Sequence, residues 1–270
     1  MAEHIAGPLY WEELGKHGLP LVFAHASPDD RRFWMYQTAH FSAWFRTIAI
    51  DLPGFGHSPE VLPGMSLDEV GWACWEAVDA VTQDKAILQG SSLGAEVVLQ
   101  MVNQRPERTL ALILSSNGYI PGREFAARWI SAYSEGGVAT RREQLLGHFS
   151  PEARDTPFVQ YYIDMITETN RADASSIVET YRALSQPPPD TLYRGVAVPT
   201  LIITATGDRN HPAAKTLQGM IAGAEIGIIE GAGHHCNLEQ PWKFDEYVMD
   251  FLARHGLFAE HGSAMASRVT

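Results

Sequence analysis

Short, mainly apolar runs recur along this chain, separated by segments with helical spacing. They are Leu21 to Ala24, Thr47 to Ile50, Ala86 to Leu88, Leu110 to Leu114, Pro199 to Ile203 and Glu225 to Ile229. A strand that is apolar on both faces must be covered on both faces, the condition of a parallel sheet flanked by helices. Between Ser66 and Asp84 the pattern is helical. Ser66-x-x-Glu69 reads as a capping box, and Val70, Ala73, Cys74, Ala77, Val78 and Val81 share one helical face. A second helix runs from Ala95 to Gln104 and ends near Pro106. The order predicts an α/β architecture with a mostly parallel central sheet and helices on both faces. The early stretches Leu9 to Glu13 and Leu19 to Phe23 predict an antiparallel start to that sheet.

The alternation breaks between Pro121 and Arg194. This stretch is helical in pattern and rich in aromatics, among them Phe125, Trp129, Tyr133, Phe149, Phe158, Tyr161, Tyr162 and Tyr181, and it closes on Pro187-Pro188-Pro189. Because it interrupts the strand series, it is expected as an insertion. The expected division is a core of residues 1–120 and 195–258, a helical cap of 121–194 and a flexible tail of 259–270. Helices inserted at the C-terminal edge of a parallel sheet lie over the crevice where such sheets bind ligands. Trp34, Phe125, Trp129 and Tyr161 are the candidate pocket residues, although most aromatics in such a segment form its own core. Arg123, Arg128, Arg141 and Arg142 are candidates to hold a substrate carboxylate, against the usual solvated state of helical arginines.

With 270 residues the chain can bury a core without a metal or disulfide staple. A formal charge of −12 and a pI near 5.3 argue against nucleic acid or an anionic membrane as partner. Cys74 and Cys236 are far apart and match no metal-ligand spacing. They are expected as reduced thiols of a cytoplasmic protein. No signal peptide or membrane-spanning apolar run is evident. Homodimerisation stays open.

The strand around Ala86 leads directly into Gly90-Ser91-Ser92-Leu93-Gly94 and then a helix. Strand, sharp turn, helix is the context in which Gly-x-Ser-x-Gly carries chemistry. The turn strains its central residue, Ser92, and needs small neighbours at Gly90 and Gly94. It also sets the hydroxyl beside the first N–H groups of a helix, where negative charge on a substrate carbonyl would be stabilised. A serine needs a base, and His234 or His235 follows the last strand within Gly231-Ala232-Gly233-His234-His235. Spacing alone does not separate them. Asp208, after the strand ending near Ala205, is the candidate acid that would orient the imidazole.

These residues together resemble the α/β-hydrolase family from about Leu9 to Leu252. The blocks that carry the resemblance are His25-Ala26-Ser27-Pro28 with Trp34, Asp51-Leu52-Pro53-Gly54-Phe55-Gly56-His57-Ser58, the Ser92 turn, Asp208 with Pro212, and Gly-Ala-Gly-His234 with Glu239-Gln240-Pro241. The resemblance implies His234 as base, Asp208 as acid and Ser92 as nucleophile. It implies an oxyanion hole from the backbone N–H groups of Ser27 and Leu93, with His25 and His57 as scaffold residues. Ser115, Ser116 and Asn117 offer no carboxylate at the alternative acid position.

Two departures accompany the resemblance. The family's usual His-Gly is His25-Ala26 here, which would cost about 1 kcal/mol if that backbone needed a positive φ. Ser92-Leu93-Gly94-Ala95 also departs from the Ser-x-Gly-Gly frequent in relatives that hydrolyse carbon–carbon bonds, and the aspartate of dehalogenases and epoxide hydrolases is absent. The expected activity is hydrolysis of a small carboxylic ester or lactone through an acyl-enzyme, with no metal or organic cofactor. Carbon–carbon hydrolysis of β-diketone or ring-fission substrates, acyl transfer including perhydrolysis, and non-hydrolytic ligand reception are the competing readings.

Overall fold

A computed structural model describes residues 4–118, 123–186 and 188–258. The chain opens with β1 (Trp11–Leu14), β2 (Pro20–Ala24), α1 (Met35–Phe41), β3 (Arg46–Ile50) and α2 (Leu67–Val81). Next come β4 (Ala86–Ser91), α3 (Leu93–Gln104) and β5 (Thr109–Ser115). Six helices then intervene: α4 (Arg123–Gly136), α5 (Thr140–Leu146), α6 (Pro151–Arg154), α7 (Pro157–Thr169), α8 (Ala174–Leu184) and α9 (Asp190–Arg194). The sheet resumes with β6 (Thr200–Ala205), α10 (Ala213–Met220) and β7 (Glu225–Ile229), and the chain closes on α11 (Cys236–Glu239) and α12 (Pro241–Arg254). The segment 259–270, expected as a flexible tail, lies outside the described residues.

The strands form one sheet in the order β1-β3-β2-β4-β5-β6-β7, parallel throughout except for β1. The alternation of apolar runs and helical spacing thus gives the expected α/β fold. Strands β2, β4 and β6 are buried at every position. Two apolar clusters, one on each face, accept their side chains: Val22 and Leu88 point into one, Leu21 and Ile87 into the other. The capping box forms, with Ser66 Oγ accepting from the Glu69 N–H and the Glu69 carboxylate accepting from the Ser66 N–H.

One detail of the sheet differs from expectation. β1 pairs antiparallel with β3, Trp11 opposite Ile50, and not with its neighbour β2. β2 already has β3 on one side and β4 on the other. The edge of β3 is what remains open, and the half-exposed β1 closes it.

The steric condition for the Ser92 turn is explicit at its two glycines. A Cβ on Gly94 would run into the Ala24 carbonyl and lie 2.7 Å from the His25 carbonyl oxygen. One on Gly90 would meet the Gly94 carbonyl and lie 2.7 Å from the Ala95 nitrogen. All four obstacles are backbone, which cannot swing aside. Gly94→Ala is therefore expected to cost about 3 kcal/mol or to prevent folding, measured by urea denaturation. A loss below 0.5 kcal/mol, within the range of ordinary surface changes, would contradict this contact.

Candidate active site

Ser92 adopts φ 53° and ψ −112° between β4 and α3. It and Ser116 (φ 48°) are the non-glycine residues with positive φ among the described residues. Strain of this kind costs on the order of 1–3 kcal/mol and persists only where its surroundings over-determine it. Here the Ser92 N–H donates to the Ser115 carbonyl at 3.0 Å, and the Ser92 carbonyl accepts from the Ala95 N–H at 3.1 Å. At Leu93, the first residue of α3, the backbone N–H has no protein acceptor among the described residues, as helix geometry requires of a first N–H. The same holds for the Ser27 N–H beyond β2. Ala26 is not in the positive-φ region, so replacing the family's glycine there brings no backbone strain.

Across the C-terminal edge of the sheet, His234 Nδ1 lies 2.9 Å from Asp208 Oδ1, and both residues are buried. Oδ1 also accepts from the Asn210 N–H at 3.0 Å. Burial opposes ionisation of Asp208, but the neighbouring His234 imidazole and its hydrogen bond outweigh it and hold the carboxyl below its usual range. A carboxylate on Nδ1 fixes the tautomer that leaves Nε2 as a base. His234 Nε2 is buried and has no hydrogen-bond partner among the described residues. Ser116 joins the parts, since its Oγ donates to the His234 carbonyl at 2.7 Å and its own carbonyl accepts from Asn210 Nδ2 at 2.9 Å. His235 does not compete for Asp208. Its Nε2 faces Asp29 instead, at 3.2 Å.

A cavity of about 70 Å³ opens beside Ser92. Leu93, Glu96, Asn117, Phe125, Tyr193 and Arg209 are among its walls, so the inserted helices α4 and α9 complete it. Of the aromatics expected to line a pocket, Phe125 does so. Trp129 lines a neighbouring, separate cavity and stacks on Tyr181. Trp34 is fully buried core between Phe23, Phe33 and Phe244, and lines no wall of this cavity. Tyr161 is 59% exposed on α7 and points away into solvent. On a two-sided helix such as α7, Tyr162 and Ile163 take the inner face and leave Tyr161 outside.

The other sequence candidates divide similarly. His25 is a buried scaffold residue whose Nε2 accepts from the Leu52 N–H at 2.9 Å and whose Nδ1 donates to the Ala26 carbonyl at 2.7 Å. His57 is exposed, with its ring against Tyr10 and its Nδ1 3.3 Å from Arg31 Nη1 and 3.7 Å from Asp51 Oδ2; its backbone N–H donates to Asp51 at 2.8 Å. Arg141 is buried and spends its guanidinium on the carbonyls of Asn170 and Ala172, at 3.0 and 2.6 Å. Arg142 pairs with Asp164 at the surface, Arg128 lies over the Trp129 ring, and the Arg123 side chain lies outside the described residues.

Two wall residues carry no sequence signature of their role. Arg209, directly after Asp208, lies over the Phe125 ring at 4.0 Å and makes no ion pair among the described residues. Glu96 lies one helical turn beyond Ser92, which would place it inside a pocket once the turn is known. Burial pushes its carboxyl up to about 7, even though the Tyr193 hydroxyl donates to it at 2.9 and 3.1 Å. A carboxyl whose folded pKa is raised binds a proton more tightly folded than unfolded. Its contribution to stability is therefore present below the unfolded value near 4.5 and is lost as pH rises to about 7. Glu96→Gln should accordingly gain on the parent by on the order of 3 kcal/mol between pH 4.5 and 8. Denaturation curves of both proteins across that range test it, and a constant difference would contradict the raised value.

The sequence pattern of the alpha/beta hydrolase family matches residues 21–244. The dihydrolipoyllysine-residue acetyltransferase component of an acetoin cleaving system from Pseudomonas putida is 27% identical over 267 residues, covering 92% of this chain and 67% of that protein. The (E)-2-((N-methylformamido)methylene)succinate hydrolase of Acinetobacter baylyi is 25% identical over 248 residues, covering 87% and 90%. Among solved structures, the enol-lactonase from Burkholderia xenovorans superposes with a TM-score of 0.82 at 23% identity, covering 92% of this chain and 98% of that one. Among the described residues, no helix is long and apolar enough to cross a membrane. With the matched segment spanning the sheet from β2 to the start of α12, this chain belongs to the alpha/beta hydrolase family.

Proposed function

We propose that the chain is a serine hydrolase of small carboxylic esters or lactones. The observation that carries this reading is the pairing of a strained Ser92 at a strand-to-helix turn with a buried Asp208–His234 couple across the sheet edge. In this mechanism His234 takes the Ser92 proton as Oγ attacks the substrate carbonyl. The N–H groups of Leu93 and Ser27 receive the developing oxyanion, each worth roughly 3 kcal/mol at the transition state. His234 then protonates the leaving alcohol and activates a water that releases the acyl group. Asp208 stays ionised throughout and stabilises the imidazolium. The inserted helices act as a cap that completes the acyl pocket.

The pocket's dimensions and charge narrow the substrate. A cavity of about 70 Å³ suits a short acyl group better than a long chain. The guanidinium of Arg209, which makes no ion pair among the described residues, favours a substrate that bears a carboxylate, as the succinate named for the Acinetobacter relative does.

Ser92→Ala is expected to lower hydrolysis of p-nitrophenyl acetate by more than about 10⁴-fold, with His234→Ala close to it and His235→Ala well above both. Retained turnover in the Ser92 variant would sink the mechanism, and loss with His235→Ala alone would transfer the role of base. Ring-fission substrates cleaved much faster than any ester would establish the carbon–carbon reading in its place. Arg209→Ala should raise KM about tenfold for an ester bearing a carboxylate and leave its neutral counterpart nearly unchanged. Equal effects on the two esters would remove the carboxylate from the proposal.

A further inference from the structure

We infer that Asp29, His148 and His235 form a binding site for one divalent transition-metal ion, of which zinc is the best match. The three residues come from three separate segments: the loop after β2, the turn after α5 and the loop after β7. All are buried, with Asp29 and His235 fully enclosed and His148 3% exposed. One donor atom from each lies within 4.8 Å of the others.

Hydrogen bonding within the chain does not account for this convergence. His235 Nε2 lies 3.0 Å from His148 Nδ1 and 3.2 Å from Asp29 Oδ2. An imidazole nitrogen has one in-plane direction, filled by a proton or by a lone pair. A proton there satisfies His148 and leaves Asp29 Oδ2 as a buried oxygen without a hydrogen-bond partner, which is its state here. A lone pair there faces the carboxylate oxygen directly. A proton turned instead to Asp29 leaves His148 Nδ1 unserved, so each arrangement leaves one buried polar atom without its full hydrogen bond, at a cost proteins rarely accept.

A cation among the three atoms serves all of them at once. Bonds of 2.0–2.1 Å in tetrahedral geometry separate neighbouring ligand atoms by roughly 3.3 Å, close to the two distances observed. Two imidazoles and one carboxylate are a zinc-type donor set, while calcium and magnesium prefer oxygen alone. Ligating carboxylates are held by outer hydrogen bonds, and the Tyr162 hydroxyl donates to Asp29 Oδ1 at 2.6 Å. Phe33 and Phe149 pack edge-on against the His235 ring, which keeps water away and strengthens the attraction. The separate cavity beside Trp129 includes His148 in its wall.

The metal's role follows from where its ligands arise. It ties the inserted helices to two core loops, one carrying Ser27 and the other His234. This site is independent of the hydrolytic mechanism and stands or falls without it.

The test uses the full chain, free of any polyhistidine tag and stripped with chelator, titrated with zinc chloride by calorimetry and followed by thermal melting. Binding of one zinc per chain with a raised Tm is expected. His148→Ala, at the least central ligand, should weaken binding more than about tenfold while retaining the parent's circular dichroism. Asp29→Asn should do the same. His255→Ala, which removes a surface histidine paired with Glu225, should leave binding unchanged. No saturable binding, or binding lost in the His255 variant and kept in the His148 variant, would overturn the site. Tetrahedral d–d bands on cobalt loading, absent in His148→Ala, would support it independently of stability.

Discussion

Helix α3 meets the sheet so closely that its first turn touches the backbone of β2. Gly94 sits against the carbonyls of Ala24 and His25 with no room for a single methyl group. That contact accompanies the positive φ at Ser92, and the first N–H of the helix is left without a backbone acceptor among the described residues. The ends of the neighbouring strands are then built around the same point. Ser115 holds the Ser92 N–H, while Ser116 holds the His234 loop and, through its carbonyl, the Asn210 side chain beside Asp208. Two consecutive residues at the end of β5 thus keep three loops in register.

Much of this was legible in the sequence, for identifiable reasons. Continuously apolar strands can be stable only between two layers, so the sheet followed from its runs. The Ser66 and Glu69 capping box is a local interaction and needs no tertiary information. The Gly-Ser-Gly turn was readable because only a few residue types survive its backbone. That Asp208 and the His234-His235 pair lie near one another was readable because each follows a strand whose end must lie at the same sheet edge.

What escaped the sequence depends on packing between distant segments. Trp34 and Tyr161 look alike as aromatic candidates, yet one is core and the other faces solvent, a matter of which helical face meets which neighbour. Arg141 reads as a candidate for a substrate carboxylate against the usual solvated state of helical arginines, but it donates to the carbonyls of Asn170 and Ala172 inside the insertion. The choice between His234 and His235 rested on resemblance, because adjacent residues share all spacing. Three-dimensional partners separate them, with Asp208 on one and Asp29 on the other. β1 was foreseen as antiparallel, but its partner depends on which edge the crossovers leave open.

Glu239 has a mechanical consequence. One oxygen of its carboxylate accepts from both the Gly233 and Ser150 N–H groups at 2.9 Å, and the other accepts from the Ser150 hydroxyl at 2.6 Å. The His148 carbonyl accepts from the His235 N–H beside them, at 3.0 Å. The end of the α5 segment and the loop bearing His234 are therefore clamped from two directions. Any swing of the inserted helices that pivoted there would drag the imidazole away from Asp208. One carboxylate thus couples the position of the insertion to that of the His234 loop, so a change at Glu239 would be felt on both sides at once.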